Sequence, residues 1–286
     1  STLTLAVGAV GSWIFYSRFG IHHEMPLEPA IDADRETFKG KTTPSLNVYV
    51  ARHEAPENTV PLVLVHSINA AASAYEMCPI FEAYRGKRDV YALDLPGFGM
   101  SDRSDRVYTP AVFQQAIIDL LERIGSPADV VALSLGSEFA ASAALARPDL
   151  FRTLTLLSPS GFTRRDLKRV SQAANEGGSS DSLYRFFSFP LWGQAFYDLI
   201  ATRKSIYYFL KQSFESEVDA GLESYAYRTS HQPGAHHAPL YFVSGKLFNK
   251  NIREEVYEKL ALPVLVIYDI DNFVRFDTLP DLLDER

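Results

Sequence analysis

Short, continuous apolar runs recur along the chain and alternate with segments that we interpret as helices. The runs at 60–65, 90–93 and 130–133 are typical of strands that are buried on both faces of a sheet. Helices are predicted between these runs at 72–84 and 110–124, the second opening with a proline after a capping threonine. This order of elements predicts the α/β class, with a mostly parallel sheet and helices on both faces.

The stretch from Ala128 to Ala146 predicts a strand, a sharp turn and a helix. Its apolar start is followed by Ser134 and then by an alanine-rich segment of high helix propensity. Ala132 and Gly136 flank the serine, where larger side chains would clash in a tight turn. We predict that the turn presents the hydroxyl at the carboxyl end of the sheet, beside the N–H groups of a helix start. A capping serine in an ordinary strand-to-helix turn is the alternative.

A second motif, at 94–102, reads Asp-Leu-Pro-Gly-Phe-Gly-Met-Ser-Asp. Together with Ala-x-Ser-x-Gly at 132–136, it resembles the α/β-hydrolase superfamily, in which this loop follows the fourth strand and the serine lies on the nucleophile elbow. Alanine here replaces the first glycine of the usual Gly-x-Ser-x-Gly. The resemblance covers about 31–161 and resumes near Leu262. It implies the α/β-hydrolase fold and a serine hydrolase acting on an ester or similar acyl compound, with Ser134 as nucleophile.

The resemblance also assigns roles to the residues that follow the third predicted strand. His66-Ser67-Ile68-Asn69 stands where the family has His-Gly-x, and the N–H two residues after that histidine helps to form the oxyanion hole. This implies the N–H groups of Ile68 and Leu135 as the oxyanion donors, with His66, Ser67 and Asn69 supporting the loop. His66 is expected to be structural, a buried imidazole that holds the loop by hydrogen bonds.

The catalytic triad is incomplete in the printed sequence. By comparison with the family, Asp271 is the acid that orients the catalytic histidine, and Asp269 is the alternative. A carboxylate is needed there because it fixes the imidazole tautomer and stabilises the imidazolium. In the family order the histidine follows after one more strand, but no histidine follows Asp271.

Three accounts of the base stay open. In the first, the chain is a fragment truncated at both ends, and the histidine lies beyond Arg286. In the second, His231, His236 or His237 has become the base. In the third, the protein is a hydrolase-like binding protein without catalysis. Acyl transfer by the same serine is a further alternative, because an alcohol can replace water in a site that excludes water.

An insertion at 162–240 is dense in aromatic residues, and their spacing near three and four predicts helices. In the resembling family this is the position of the cap that covers the active site. An aromatic roof favours small apolar acyl, lipid or aromatic substrates, although most of these rings are expected to pack inside the cap. His231, His236 and His237 at its end fit a hinge loop that faces the site. A metal site fits less well, because no nearby carboxylate or thiolate completes a ligand set.

Residues 1–17 carry no charge and precede Arg18. The run is marginal for a membrane helix, which needs roughly 20 apolar residues, but its aromatic residues next to a cation resemble an interfacial belt. A membrane anchor, a signal-peptide remnant and an amphipathic helix packed on the domain are the alternatives. We expect a hydrophobic segment at 1–20 that contacts a membrane through 1–18, and otherwise a soluble cytoplasmic protein.

Composition limits the function classes further. With 286 residues the chain suits one α/β core, at 31–161 and 241–286, with the cap as an insertion. The last strand and helix of that core are expected to be missing. A net charge of −7 without a basic stripe argues against nucleic acid as a partner. Cys78 is the only cysteine, which excludes an intramolecular disulfide and a thiolate metal site. No nucleotide fingerprint or metal-ligand set occurs, so we expect no cofactor.

Overall fold

The computed structural model describes residues 2–55, 59–163, 179–270 and 272–284. The strands are β1 (Asp34–Phe38), β2 (Leu46–Ala51), β3 (Leu62–Val65), β4 (Val90–Asp94), β5 (Ala128–Leu133), β6 (Phe151–Leu157) and β7 (Val264–Ile267). They form one sheet in the order β1-β2-β4-β3-β5-β6-β7. β1, β2 and β4 pair antiparallel in that order, and all pairs from β4 to β7 are parallel. The predicted mostly parallel sheet is therefore confirmed.

Eleven α-helices are described between and around the strands. They are α1 (Thr2–Gly20), α2 (Cys78–Tyr84), α3 (Pro110–Ile124), α4 (Gly136–Ala146), α5 (Ser179–Phe187), α6 (Gly193–Ile200), α7 (Arg203–Ser213), α8 (Ala220–Ser230), α9 (His237–Val243), α10 (Ile252–Glu255) and α11 (Leu279–Asp284). A 3₁₀ helix, Ala74–Met77, leads directly into α2. α5 to α8 lie within the predicted cap.

The sheet is covered on both faces. Alternate side chains of a strand point to opposite faces, and β3 shows the division: Val63 and Val65 join a core with residues of α3 and α4, whereas Leu62 and Leu64 join a second core with residues of α2. All four residues are buried. Because β3, β4, β5 and β6 are parallel, the loops at their carboxyl ends emerge along one edge of the sheet, and the candidate site lies there.

The run at 262–268 predicts a buried strand, and this prediction is wrong about burial. β7 forms within the run, but Leu265 is 57% exposed and Ile267 is 50% exposed. The physical reason is its position, because β7 is the last strand of the described sheet and pairs there with β6 alone. An apolar run specifies a strand, but the number of neighbouring elements decides its burial.

The N-terminal helix α1 lies against α6. Trp13 Nε1 donates to Ala195 O at 2.8 Å, and Ser17 Oγ donates to the buried Asp198 carboxylate at 2.6 Å. His23 Nε2 lies 2.9 Å from the same carboxylate. The C-terminal half of the helix is thus fixed to α6 through polar contacts. Among the described helices, none is both long enough and apolar enough to cross a membrane.

Candidate active site

Ser134 lies on the sharp turn between β5 and α4. Its φ of 52° is left-handed, and Ser134 and Ser158 are the only described non-glycine residues with positive φ. Such a conformation costs on the order of 1–3 kcal/mol and persists only where the surroundings enforce it. The N–H of Ser134 donates to Leu157 O of β6 at 2.8 Å, which fixes the turn to the neighbouring strand. This hydrogen bond helps to hold the strained serine at the carboxyl edge of the sheet.

Gly136 brings the start of α4 against the loop after β3. A Cβ at this position would lie 2.4 Å from the backbone oxygen of His66, a distance that no side chain tolerates. The contact places Leu135 beside the loop that contains Ile68. Among the described residues, neither the N–H of Leu135 nor that of Ile68 makes a backbone hydrogen bond outside regular structure. N–H groups without a backbone partner can bind a carbonyl oxygen that becomes negatively charged, provided that both point at it.

His66 is fully buried and holds two backbone segments together. Its Nε2 accepts a hydrogen bond from Leu95 N at 2.9 Å, so Nδ1 carries the proton and donates to Ser67 O at 2.6 Å. Burial lowers the pKa of His66 to about 4, and the bond to Ser67 opposes this only in part. A neutral imidazole with both nitrogens engaged is placed to support the loop.

Ser67 and Asn69 contact a residue that the sequence analysis did not identify, Glu76. The Ser67 N–H and the Asn69 side-chain amide each donate to the Glu76 carboxylate at 2.9 Å. Asn69 Oδ1 also accepts from Ala71 N at 2.8 Å. In the sequence, Glu76 is a charged residue next to Met77 within the predicted helix at 72–84, and this position gives no sign that it binds the loop after β3.

The loop after β4 is organised around the buried Asp94. Its carboxylate accepts hydrogen bonds at 2.9 Å from Asn47 Nδ2, Ala74 N and Met100 N. Burial raises the pKa of Asp94, and these bonds oppose the shift. Gly99 has φ of 53°, and a Cβ there would lie 2.0 Å from the carboxylate, so glycine is required for this close approach.

Glu138 was also missed by the sequence analysis. It lies one turn after Ser134 in α4 and is 2% exposed. Its carboxylate accepts hydrogen bonds from Ser160 Oγ at 2.5 Å and from Asn249 N at 2.9 Å. The elbow helix is thereby linked to the loop after β6 and to the segment after the cap.

His231, His236 and His237 have different surroundings. His231 Nδ1 donates to Tyr227 O at 2.7 Å, and its ring stacks on His23 at 6.2 Å. His237 Nδ1 lies 3.6 Å from Asp105 Oδ1. His236 packs beside His237, and its Nδ1 is buried without a hydrogen-bond partner among the described residues.

Burial lowers the pKa of all three rings, and that of His236 to about 4, where His237 adds to the effect. The ring of His236 lies 6.3 Å from that of Tyr197, whose hydroxyl donates to Ala70 O at 2.8 Å. His236 therefore packs near Tyr197, and Tyr197 in turn contacts the loop that contains Ile68.

The predicted acid, Asp271, lies outside the described residues. Its alternative, Asp269, is exposed and accepts from Ile270 N at 2.7 Å. Ser158 N donates to Ile267 O at 2.8 Å, so the segment after β7 begins at the same edge of the sheet as the loop after β6. Within the described ranges, no group of three or more histidine, cysteine or acidic residues is placed to hold a metal ion.

Comparison with known proteins gives the family. A model of the alpha/beta hydrolase family matches residues 62–285. The curated relative "Uncharacterized hydrolase YugF" of Bacillus subtilis (strain 168) is 35% identical over 126 residues, which are 43% of this chain and 45% of that protein. The match thus spans less than half the length of that relative.

Two solved structures show the same fold at low identity. A probable hydrolytic enzyme from Pseudomonas aeruginosa PAO1 has 18% identity and a TM-score of 0.64, over 93% of this chain and 83% of that one. A serine hydrolase involved in carbazole degradation has 16% identity and a TM-score of 0.62, over 88% and 85%. Because the family model matches most of the chain and the sheet and elbow are those of the fold, the protein belongs to the α/β-hydrolase family.

Proposed function

We propose that this protein is a serine hydrolase that cleaves an ester or related acyl compound of apolar character through an acyl-enzyme on Ser134. The observation that carries the proposal is the left-handed Ser134 directly before α4, on a turn whose Gly136 approaches the His66 carbonyl in the loop that contains Ile68. A serine in an ordinary strand-to-helix turn does not require a left-handed backbone. Such a turn also does not require a glycine that packs against a neighbouring carbonyl oxygen.

In the proposed reaction, Ser134 Oγ attacks the substrate carbonyl carbon, and the carbonyl oxygen takes up the negative charge. The N–H groups of Leu135 and Ile68 hydrogen-bond this oxyanion, and each such donor contributes roughly 3 kcal/mol to transition-state stabilisation. The leaving alcohol departs with the proton that the base took from the serine. Water then hydrolyses the acyl-enzyme and restores the hydroxyl.

A histidine base completes the proposal, with Asp271 orienting it. His231 uses its Nδ1 for a backbone carbonyl, whereas Nδ1 of His236 has no partner among the described residues. His236 also lies beside Tyr197, which contacts Ala70 in the oxyanion loop. Among His231, His236 and His237, His236 is therefore the candidate base. The other candidate is the histidine that the family order implies after the acid and one further strand, which the printed sequence does not contain.

The pH dependence of ester hydrolysis tests the proposal and separates the two bases. We expect saturable turnover of p-nitrophenyl esters, with kcat/KM rising as the base loses its proton. The rise is centred near pH 4 if His236 is the base, because its pKa is about 4, and nearer the ordinary histidine value of 6.5 if another histidine acts. His236→Gln abolishes turnover in the first case and retains it in the second. Absence of turnover with every ester of the series would contradict the hydrolase proposal.

The cap supports an apolar substrate. The Tyr197 hydroxyl donates to Ala70 O at 2.8 Å and thereby holds α6 over the oxyanion loop. Phe187 and Phe196 stack with ring centroids 4.4 Å apart and pack against the cluster of buried residues around Tyr197. Apolar walls with few polar groups favour apolar ligands, so KM is expected to fall as the acyl chain of the ester lengthens.

We further propose that α1 and the cap contact a lipid surface. Large exposed apolar side chains occur on both of these parts of the described chain, as they also do at 264–273. They are Val10, Phe15, Tyr16 and Phe19 in α1, and Leu183, Phe186, Phe189, Leu191, Leu199, Tyr207, Tyr208 and Phe209 in the cap. Phe15 and Phe19 pair one turn apart, with ring centroids 4.8 Å apart. Helices with exposed aromatic residues and a flanking cation such as Arg18 lie at bilayer interfaces.

Vesicle sedimentation tests this contact. The protein is expected to pellet with phosphatidylcholine and phosphatidylglycerol vesicles, and the double variant Phe15→Ser, Phe19→Ser is expected to pellet less, because it loses exposed apolar area. Val107→Ser is the matched control, since Val107 is 66% exposed and belongs neither to α1 nor to the predicted cap at 162–240. Recovery of the unaltered protein in the supernatant, or equal pelleting of the double variant, would refute the lipid contact.

A further inference from the structure

One carboxylate binds the oxyanion loop on both sides of Ile68. Glu76 belongs to the 3₁₀ helix Ala74–Met77, and its Oε2 accepts the N–H of Ser67 at 2.9 Å while its Oε1 accepts Asn69 Nδ2 at 2.9 Å. Ser67 immediately precedes Ile68, and Asn69 immediately follows it. Asn69 Nδ2 also reaches Ser67 Oγ at 3.0 Å, which closes a small network around Ile68.

This network needs a carboxylate. The Ser67 N–H and the Asn69 amide each donate to a different oxygen of Glu76. A glutamine would replace one of these oxygens by an N–H₂ group, and two donors would then face each other. Burial raises the pKa of the Glu76 carboxyl, while the bonds from Ser67 and Asn69 oppose the shift. A carboxylate is costly to remove from water unless it is hydrogen-bonded, so its presence here depends on the two loop donors.

The loop has further anchors on either side of this pair. The His66 ring accepts Leu95 N at one end, and the Tyr197 hydroxyl donates to Ala70 O at the other. Between these ends, Glu76 accepts hydrogen bonds from Ser67 N and Asn69 Nδ2, while His66 Nδ1 donates to Ser67 O and Asn69 Oδ1 accepts from Ala71 N. Ser67 is buried, and it stands where the resembling family has the freely turning glycine. The direction of the Ile68 N–H is therefore set by the contacts of Ser67 and Asn69.

We propose that Glu76 is a positioning residue of the oxyanion hole, whose carboxylate holds Ser67 and Asn69 so that the Ile68 N–H faces the oxygen of the reacting carbonyl. Glu76 acts through the loop and does not touch the substrate. The inference rests on the proposed serine hydrolase function, because it assigns a role within that site.

Glu76→Gln tests the role, and Glu82→Gln is its matched control. Glu82 lies on α2, is exposed and pairs with Arg85, with no described contact to the loop. Active sites are first titrated with a phosphonate, and kcat and KM for a p-nitrophenyl ester are then measured per titrated site. We expect Glu76→Gln to lower kcat about 10- to 100-fold with KM within about two-fold, because the oxyanion donor acts in the transition state. Glu82→Gln should leave both constants unchanged.

The kinetic constants distinguish positioning from a purely structural role. A structural role would lower the melting temperature and the titrated fraction but leave kcat per titrated site at the unaltered value, and that outcome overturns the inference. If Glu76→Gln does not fold, Asn69→Ala is tested instead, because it removes one of the two donors to Glu76. This variant should lower kcat several-fold with KM unchanged. A kcat equal to that of the unaltered protein would overturn the inference. If the unaltered protein shows neither labelling nor turnover, the proposed function itself fails, whereas an active protein with an unaffected variant overturns the role of Glu76 alone.

Discussion

Replacement of Ser134 by alanine is expected to lower kcat/KM for ester hydrolysis by at least about 10³-fold while leaving the fold intact. The variant loses the oxygen that attacks the carbonyl, and the oxyanion donors then have no tetrahedral intermediate to stabilise. The Ser134 N–H still donates to Leu157 O, so the turn keeps its contact with β6. The free energy of unfolding should therefore change by less than about 1 kcal/mol.

Ser158→Ala is the matched control for this variant. Ser158 also follows a parallel strand and has a left-handed φ of 44°, and its N–H donates to the next strand in the same manner. It differs from Ser134 because the described residues that follow it, 159–163, form no helix that could supply oxyanion donors. Ester hydrolysis assays and urea unfolding of both variants check the prediction. Equal losses of activity in the two variants would indicate that any change of serine at the end of a strand disturbs the site, and that Ser134 is not the nucleophile.

Replacement of Gly136 by alanine is expected to lower kcat about 100-fold and to destabilise the fold by about 1–3 kcal/mol. The new Cβ would lie 2.4 Å from His66 O, and this neighbour is backbone that cannot rotate away. Either the start of α4 or the loop after β3 must move, by on the order of 1 Å. A displacement of that size separates the N–H groups of Leu135 and Ile68 from the oxyanion position.

Gly11→Ala is the control for the change of residue type. Gly11 lies in α1 and has no heavy atom within 4 Å of an added Cβ, so alanine there should be neutral or stabilising by up to about 1 kcal/mol. Urea unfolding and steady-state kinetics measure both variants. If Gly136→Ala retains full kcat, the two oxyanion donors are not held by the contact between Gly136 and His66.

The elements with local signals could be predicted from the sequence. The strand, turn and helix around Ser134 lie where the apolar run, the small flanking residues and the alanine-rich segment predict them. The structure places α3 at Pro110–Ile124, where the proline marks the first turn and the left-handed Gly125 marks the end, although Thr109 makes no side-chain cap hydrogen bond. Each of these signals acts within a few residues, so the sequence pattern contains it.

Features that depend on distant partners could not be predicted in this way. The exposure of β7 depends on how many elements pack beside it, which an apolar run does not encode. Glu76 acquires its role only when the loop after β3 returns to the 3₁₀ helix. The contact between Ser17 and Asp198 joins residues 181 positions apart, so the sequence leaves a helix packed on the domain as one of three alternatives for α1.

Labelling with a serine-directed phosphonate tests the central claim, that Ser134 is an activated nucleophile, most directly. The unaltered protein should gain the mass of one probe, with the modified peptide containing Ser134, and Ser134→Ala should gain none. Ser158→Ala should be labelled like the unaltered protein. An unaltered protein that stays unlabelled under conditions in which it is folded, or a label that maps to a residue other than Ser134, would contradict the account.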